Sequence, residues 1–136
     1  MRILFDPKVP TEVRAAVEPL LRKWEWLIPT WVHQLTVFWN DKDSARISNL
    51  AEPEYRRAWI ALLNGWLTND SETRERDVVH ELIHFPLEPL SSFAENLIER
   101  TIPNEDSAFR KWAEEELRRV LEGCTTDLQN AITDQR

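Results

Sequence analysis

Between residues 80 and 84 the chain reads His-Glu-Leu-Ile-His. Two histidines four positions apart bring their rings side by side on an α-helix, where residues i and i+4 share a face one turn apart. In that conformation both rings can direct a nitrogen at one divalent cation, and the carboxylate between them can hold a water beside it. The two intervening residues have another task. Leu82 and Ile83 join Val78 and Val79 in an apolar stripe, so the helix has a core-facing side, and Asp77, His80, Glu81 and His84 project from the rest of it. Thr68-Asn69-Asp70-Ser71 offers several N-caps, and Glu72 and Glu75 suit the positive end of the helix dipole. Pro86 and Pro89 predict its end.

A chain of 136 residues is one domain's worth, so the expectation is a single domain over 1–136, with a polar tail after about residue 123. Hydrophobic residues make up 42% and charged residues 30%, a balance that supports a packed core. Trp24, Trp26, Trp31 and Trp39 concentrate in the first third, which is therefore expected to supply much of it. A net charge of −7 argues against nucleic acid and anionic membranes as partners. The N-terminal residues lack the basic and apolar regions of a secretory signal, no stretch has the length of a membrane span, and Cys124 is the only cysteine. These features point to the cytoplasm. No histidine lies near Cys124 in sequence to activate it as a nucleophile.

Residues 10–28 have helical periodicity, with Val13, Val17, Leu20, Leu21, Trp24 and Leu27 on one side, Thr11 as N-cap, and Pro19 predicting a kink or split. Residues 31–39 alternate in the manner of a strand. Asn40 to Ser44 reads as a polar turn and Ala45 to Leu50 as a short second strand. Tyr55 to Leu63 fits either a strand, by alternation, or a helix, because Ala, Leu and Arg are good helix formers. After the motif, a helix is expected over 91–102. A last one begins near Asp106, turns Phe109, Trp112, Ala113, Leu117, Val120 and Leu121 inward, and stops at Gly123.

The residues from about Tyr55 to Glu99, a third of the chain, resemble the zincin metallopeptidases, in particular the minimal zincin-like domains of bacterial and phage proteins. The resemblance rests on His80-Glu81-Leu82-Ile83-His84, on Asp77-Val78-Val79 before it, and on the strand and turn at Ala58 to Leu67. It implies an α+β fold: an N-terminal helix, a short twisted sheet whose edge strand lines the cleft, the motif helix, and two C-terminal helices. It also favours a strand for Tyr55 to Leu63. The metzincin branch is excluded, since Leu87 and Leu90 stand where that branch has Gly and His.

With no histidine after His84, a carboxylate must complete the site, as in gluzincins. A reversal at Pro86 to Pro89 would carry Glu95 or Glu99 back beside the histidines. Glu95 also completes a Ser-x-x-Glu capping box with Ser92, Glu99 also suits a solvated face, and the further options are Glu88 or no third protein ligand. Asp77 is placed to orient a liganding ring, or is simply solvated. His33 and Tyr55, the latter beside Arg56 and Arg57, are candidate transition-state donors, although a lone histidine among aromatics more often serves structure.

The expectation is thus a zinc metallopeptidase of the HExxH type. Zn²⁺ would sit on His80, His84 and Glu95, with Glu99 as the alternative third ligand, and Glu81 would be the general base. Its substrate would be a peptide or protein, added as a strand at an exposed edge near Ala58 to Leu62. The alternatives are a non-catalytic, zinc-stabilised interaction or regulatory module on the same fold, and a metal-free helical interaction protein.

Overall fold

The computed structural model describes residues 1–41 and 47–134. The expected polar turn at Asn40 to Ser44, and Ala45 with it, lies largely outside them. The architecture is α+β, as expected. The chain divides into two compact units, Met1–Pro86 and Leu87–Arg136.

The first unit carries a four-stranded mixed sheet. Its strands are β1 (Arg2–Phe5), β2 (Gln34–Asn40), β3 (Ile47–Glu52) and β4 (Arg57–Leu63), in the order β1-β2-β4-β3. β1 and β4 both run parallel to β2, and β3 runs antiparallel to β4. The strand reading of Tyr55 to Leu63 therefore holds from Arg57 onward, Pro53–Tyr55 being a short 3-10 turn. Arg56 closes that turn with a φ of 56°, left-handed in a residue that is not glycine. One expectation is corrected. Ala58 to Leu62 is not an edge, because β4 is paired on both sides, and the edge strand beside it is β3.

The register places Leu35, Val37, Ala58, Ile60, Leu62 and Ala51 on one face. All of them are buried. Two helices cover that face: α1 (Thr11–Lys23), through Val13, Val17 and Leu21, and the start of α3 (Ser71–Thr101), through Val78, Val79, Leu82 and Ile83. They meet at Glu75, which accepts a hydrogen bond from Trp24 Nε1 at 2.7 Å and pairs with Lys23 Nζ at 2.9 Å. The short helix α2 (Asn64–Leu67) contributes Trp66, the largest fully buried side chain, whose Nε1 donates to the Arg74 carbonyl at 3.3 Å. Of the four tryptophans expected in the core, Trp24 is buried, Trp31 and Trp39 are half-buried, and Trp26 is exposed.

Asp70 is the residue that starts α3. Its carboxylate accepts from the Thr73 backbone N–H at 2.9 Å and from the Thr73 hydroxyl at 2.8 Å. These bonds hold the Asp70 carboxyl below the usual aspartate range. A carboxyl depressed in the folded chain binds fewer protons there than in the unfolded chain. Its stabilisation is therefore complete above the ordinary aspartate pKa of about 3.9 and is lost as pH falls through the depressed value. Asp70→Asn keeps an acceptor for the cap but cannot titrate. The gap in urea midpoint between wild type and this variant is expected to shrink from pH 6 to pH 2, and a constant gap would disprove the charge contribution.

Three prolines expected to break helices do not. α1 runs through Pro19, and α3 continues past Pro86 and Pro89 to Thr101. All three are solvent-exposed, and each removes one bond from a helix whose neighbouring bonds remain. Pro10, rather than Thr11, is the N-cap of α1. In place of two further helices, one long helix is followed by α4 (Ala108–Thr133). α4 also continues through Gly123, so the segment expected to be a tail is helical.

In the second unit, Ile102 to Ser107 connects the end of α3 to α4. The buried Arg110 joins the two helices, its Nε donating to Glu114 at 2.7 Å and its Nη2 reaching Glu99 at 3.5 Å. Among the described residues, no helix is long and apolar enough to cross a membrane.

Candidate metal centre

The buried stripe of α3 fixes the rotation of the helix against the sheet, and that rotation sets where the motif points. Leu82 and Ile83 sink into the core, and His80 and His84 are left half-buried at its margin. Their Nε2 atoms are 3.3 Å apart, with ring centroids at 5.0 Å and ring planes at 69°. Imidazole nitrogens bind zinc at 2.0–2.1 Å, so two ligands on a tetrahedral ion stand about 3.3–3.4 Å apart. The pair already has that separation. Two borderline-soft nitrogen donors facing each other across one helical turn fit a zinc ion in both chemistry and spacing.

Glu81, between the two histidines in sequence, is the buried charged residue of the motif. It is 9% exposed, and its Oε2 accepts a hydrogen bond from Asn49 Nδ2. Asn49 is in the middle of β3, on the inward face with Ala51, so the side chain of the edge strand anchors the carboxylate that stands between the two histidines in sequence. Asn49 escapes a reading of the sequence alone. Its one signal is a polar residue at an inward position of a short strand, and the boundaries of that strand are weakly marked.

The other expected site residues are placed as follows. Asp77 is half-buried one turn before Glu81 on the same helix. His33 and Tyr55 are at the end of the sheet where β2 and β4 begin, whereas Asn49 pairs with Ile60, three residues further along β4 than Arg57. His33 Nε2 is 3.2 Å from Arg56 Nη1, and Tyr55 is 66% exposed. The structure does not bring these two residues to the motif.

The reversal at Pro86 to Pro89 that would have carried Glu95 and Glu99 back is not formed. α3 runs unbroken from Ser71 to Thr101, so the turn on which the expected route to the third ligand depended is absent. The capping box of Ser92 and Glu95 is absent for the same reason, since both lie inside α3; Ser92 instead donates to Glu88 at 2.9 Å. Burial raises the Glu88 carboxyl above the usual range, the Ser92 bond lowers it, and the nearby Glu95 charge raises it. In the second unit, Glu95 and Glu99 line a small cavity with Glu114 and Leu117.

The chain matches no protein-family model, no curated protein and no solved structure. The resemblance to zincins therefore rests on the sequence motif and the residues around it.

Proposed function

We propose that the protein is a zinc-dependent peptidase in which His80 and His84 supply two of the metal ligands and Glu81 is the general base. The observation that carries this reading is the 3.3 Å Nε2–Nε2 separation of two histidines flanking a carboxylate that the edge strand anchors. A catalytic zinc takes three protein ligands. The remaining histidine, His33, is with Arg56 where β2 and β4 begin, and the third donor in this reading is a carboxylate, the ligand type expected from the sequence.

Zn²⁺ bound there would polarise a carbonyl and bring the pKa of a water toward neutrality. Glu81 would take a proton from the attacking water and return it to the leaving amine. Asn49 fixes one oxygen of that carboxylate, so the base is held without depending on substrate. β3 lies at the edge of the sheet, and an extended peptide pairing with it would run past Asn49 and Glu81. The acidic net charge and the unpaired, exposed Cys124 fit a cytoplasmic protein acting on peptides or proteins rather than on nucleic acid or a membrane.

A second reading draws on the same hydrogen bond: a buried Glu81 committed to Asn49 also suits a zinc-stabilised interaction module that does no chemistry. Metal analysis and hydroxamate binding separate the two. The peptidase is expected to purify with stoichiometric zinc, to bind a simple hydroxamate at the metal, and to lose peptide turnover when it does. Zinc without hydroxamate binding would favour the module, and a chain that holds no zinc would sink both.

A further inference from the structure

The second unit contains a long helical hairpin, yet none of the large apolar side chains after Phe85 belongs to the buried core. Among the described residues, its buried ones are Arg110 and Thr125. Instead, Leu90, Phe93 and Leu97 on α3 and Phe109, Trp112 and Val120 on α4 are between 47 and 65% exposed. Phe109 and Trp112 stack on each other with centroids 5.5 Å apart, in contact but uncovered.

These six residues form one surface. Each immediately precedes a residue that is more buried than itself: Phe93 before Ala94, Leu97 before Ile98, Trp112 before Ala113, Val120 before Leu121. Consecutive helical residues are turned by about 100°, so on both helices the exposed stripe lies the same rotation away from the more buried side. The contact of the buried Arg110 with Glu99, which crosses between the helices, marks the seam, and the short connection makes the helices antiparallel. Two antiparallel helices are related by a two-fold axis perpendicular to their plane. Equal rotations from the seam therefore bring both stripes to the same side of the hairpin.

We propose that this side is the interface with a second copy of the chain, two hairpins closing into a four-helix bundle. The area agrees. An aromatic side chain buries about 150–250 Å² when fully covered, so six residues at these exposures offer roughly 100 Å² each. A pair of copies would bury about 1,200 Å², the lower bound of a standard stable interface. The pattern also agrees, since a helix of a bundle needs an apolar arc wide enough for two neighbours, and on each helix here an apolar stripe away from the hairpin seam stays exposed. The charges bordering it are of both signs. Arg100 follows Phe93 by two turns, and Glu116 follows Trp112 by one turn and pairs with Arg119. A helix face meant for anionic lipid would be bordered by basic residues alone.

Sedimentation equilibrium of the full chain tests the proposal. The wild type is expected to sediment as two 16.1-kDa chains at micromolar concentration and to dissociate on dilution. Phe93→Glu and Trp112→Glu are each expected to weaken association by at least about 30-fold with helicity unchanged by circular dichroism. Leu50→Glu, on the open face of the sheet, should leave it intact. Hydrogen exchange on the wild type keeps the test independent of the variants: protection over residues 90–97 and 109–120 should rise with concentration. A wild type that is monomeric up to submillimolar concentration overturns the proposal. So does a dimer that survives both substitutions, protection that does not depend on concentration, or co-sedimentation with phosphatidylglycerol vesicles in place of dimerisation.

Discussion

Glu81→Gln is expected to leave the zinc content unchanged and to lower kcat for peptide hydrolysis by about 10²–10⁴-fold, the range that a positioned general base contributes. The substitution is close to isosteric, and the glutamine oxygen can still accept the bond from Asn49 Nδ2. The local structure therefore persists while the proton acceptor is gone. Two measurements on the same sample decide the matter: zinc per chain by elemental analysis and turnover of a quenched peptide. Full turnover with full zinc would remove Glu81 from the chemistry. Loss of zinc along with turnover would show that the carboxylate helps to hold the metal.

His84→Ala and His80→Ala are each expected to abolish stoichiometric zinc. Each removes one of the two nitrogens that stand 3.3 Å apart, and the remaining imidazole cannot hold the ion with one protein bond fewer. A ligand that binds only the folded chain stabilises it by mass action. Chelation should therefore lower the wild-type unfolding temperature and leave both variants unmoved. Glu95→Ala and Glu99→Ala should behave as wild type, because α3 carries these residues along its length instead of turning them back. An alanine scan of the remaining acidic residues, read as zinc content, then names the carboxylate that completes the set. If both histidine variants keep a full complement of zinc, the metal lies elsewhere and the reading of the motif fails.

Much of the first unit is legible in the sequence. The apolar stripe of Val78, Val79, Leu82 and Ile83 predicts both the helix and the side it buries, and alternation marks β2. Proline misleads. A rule that weighs only the lost hydrogen bond and the ring clash stops α3 at Pro86, whereas exposed prolines in a helix with intact neighbouring bonds are tolerated. That single difference removes the reversal on which the placement of Glu95 and Glu99 beside the histidines depended.

Apolar spacing misleads in a different way at Phe109 and Trp112. Periodicity shows that these residues share a face with Val120, but it does not distinguish a face turned to the core from one left open. Asn49 was out of reach for a third reason. Which strand forms the edge depends on pairing order, and nothing in the local residue pattern of β3 or β4 fixes that order.

The strand order also bears on how the chain emerges during synthesis. β3 precedes β4 in sequence, yet β4 occupies the place beside β2. When residues 47–52 appear, they cannot cover the open side of β2, whose partner, Arg57–Leu63, has not yet been made. Until Leu63 arrives, the native partner for the hydrogen-bonding groups on that side of β2 is incomplete. Once β4 is present, it satisfies β2 and β3 together. The half of the sheet that carries Asn49 thus takes its final form in one closing step.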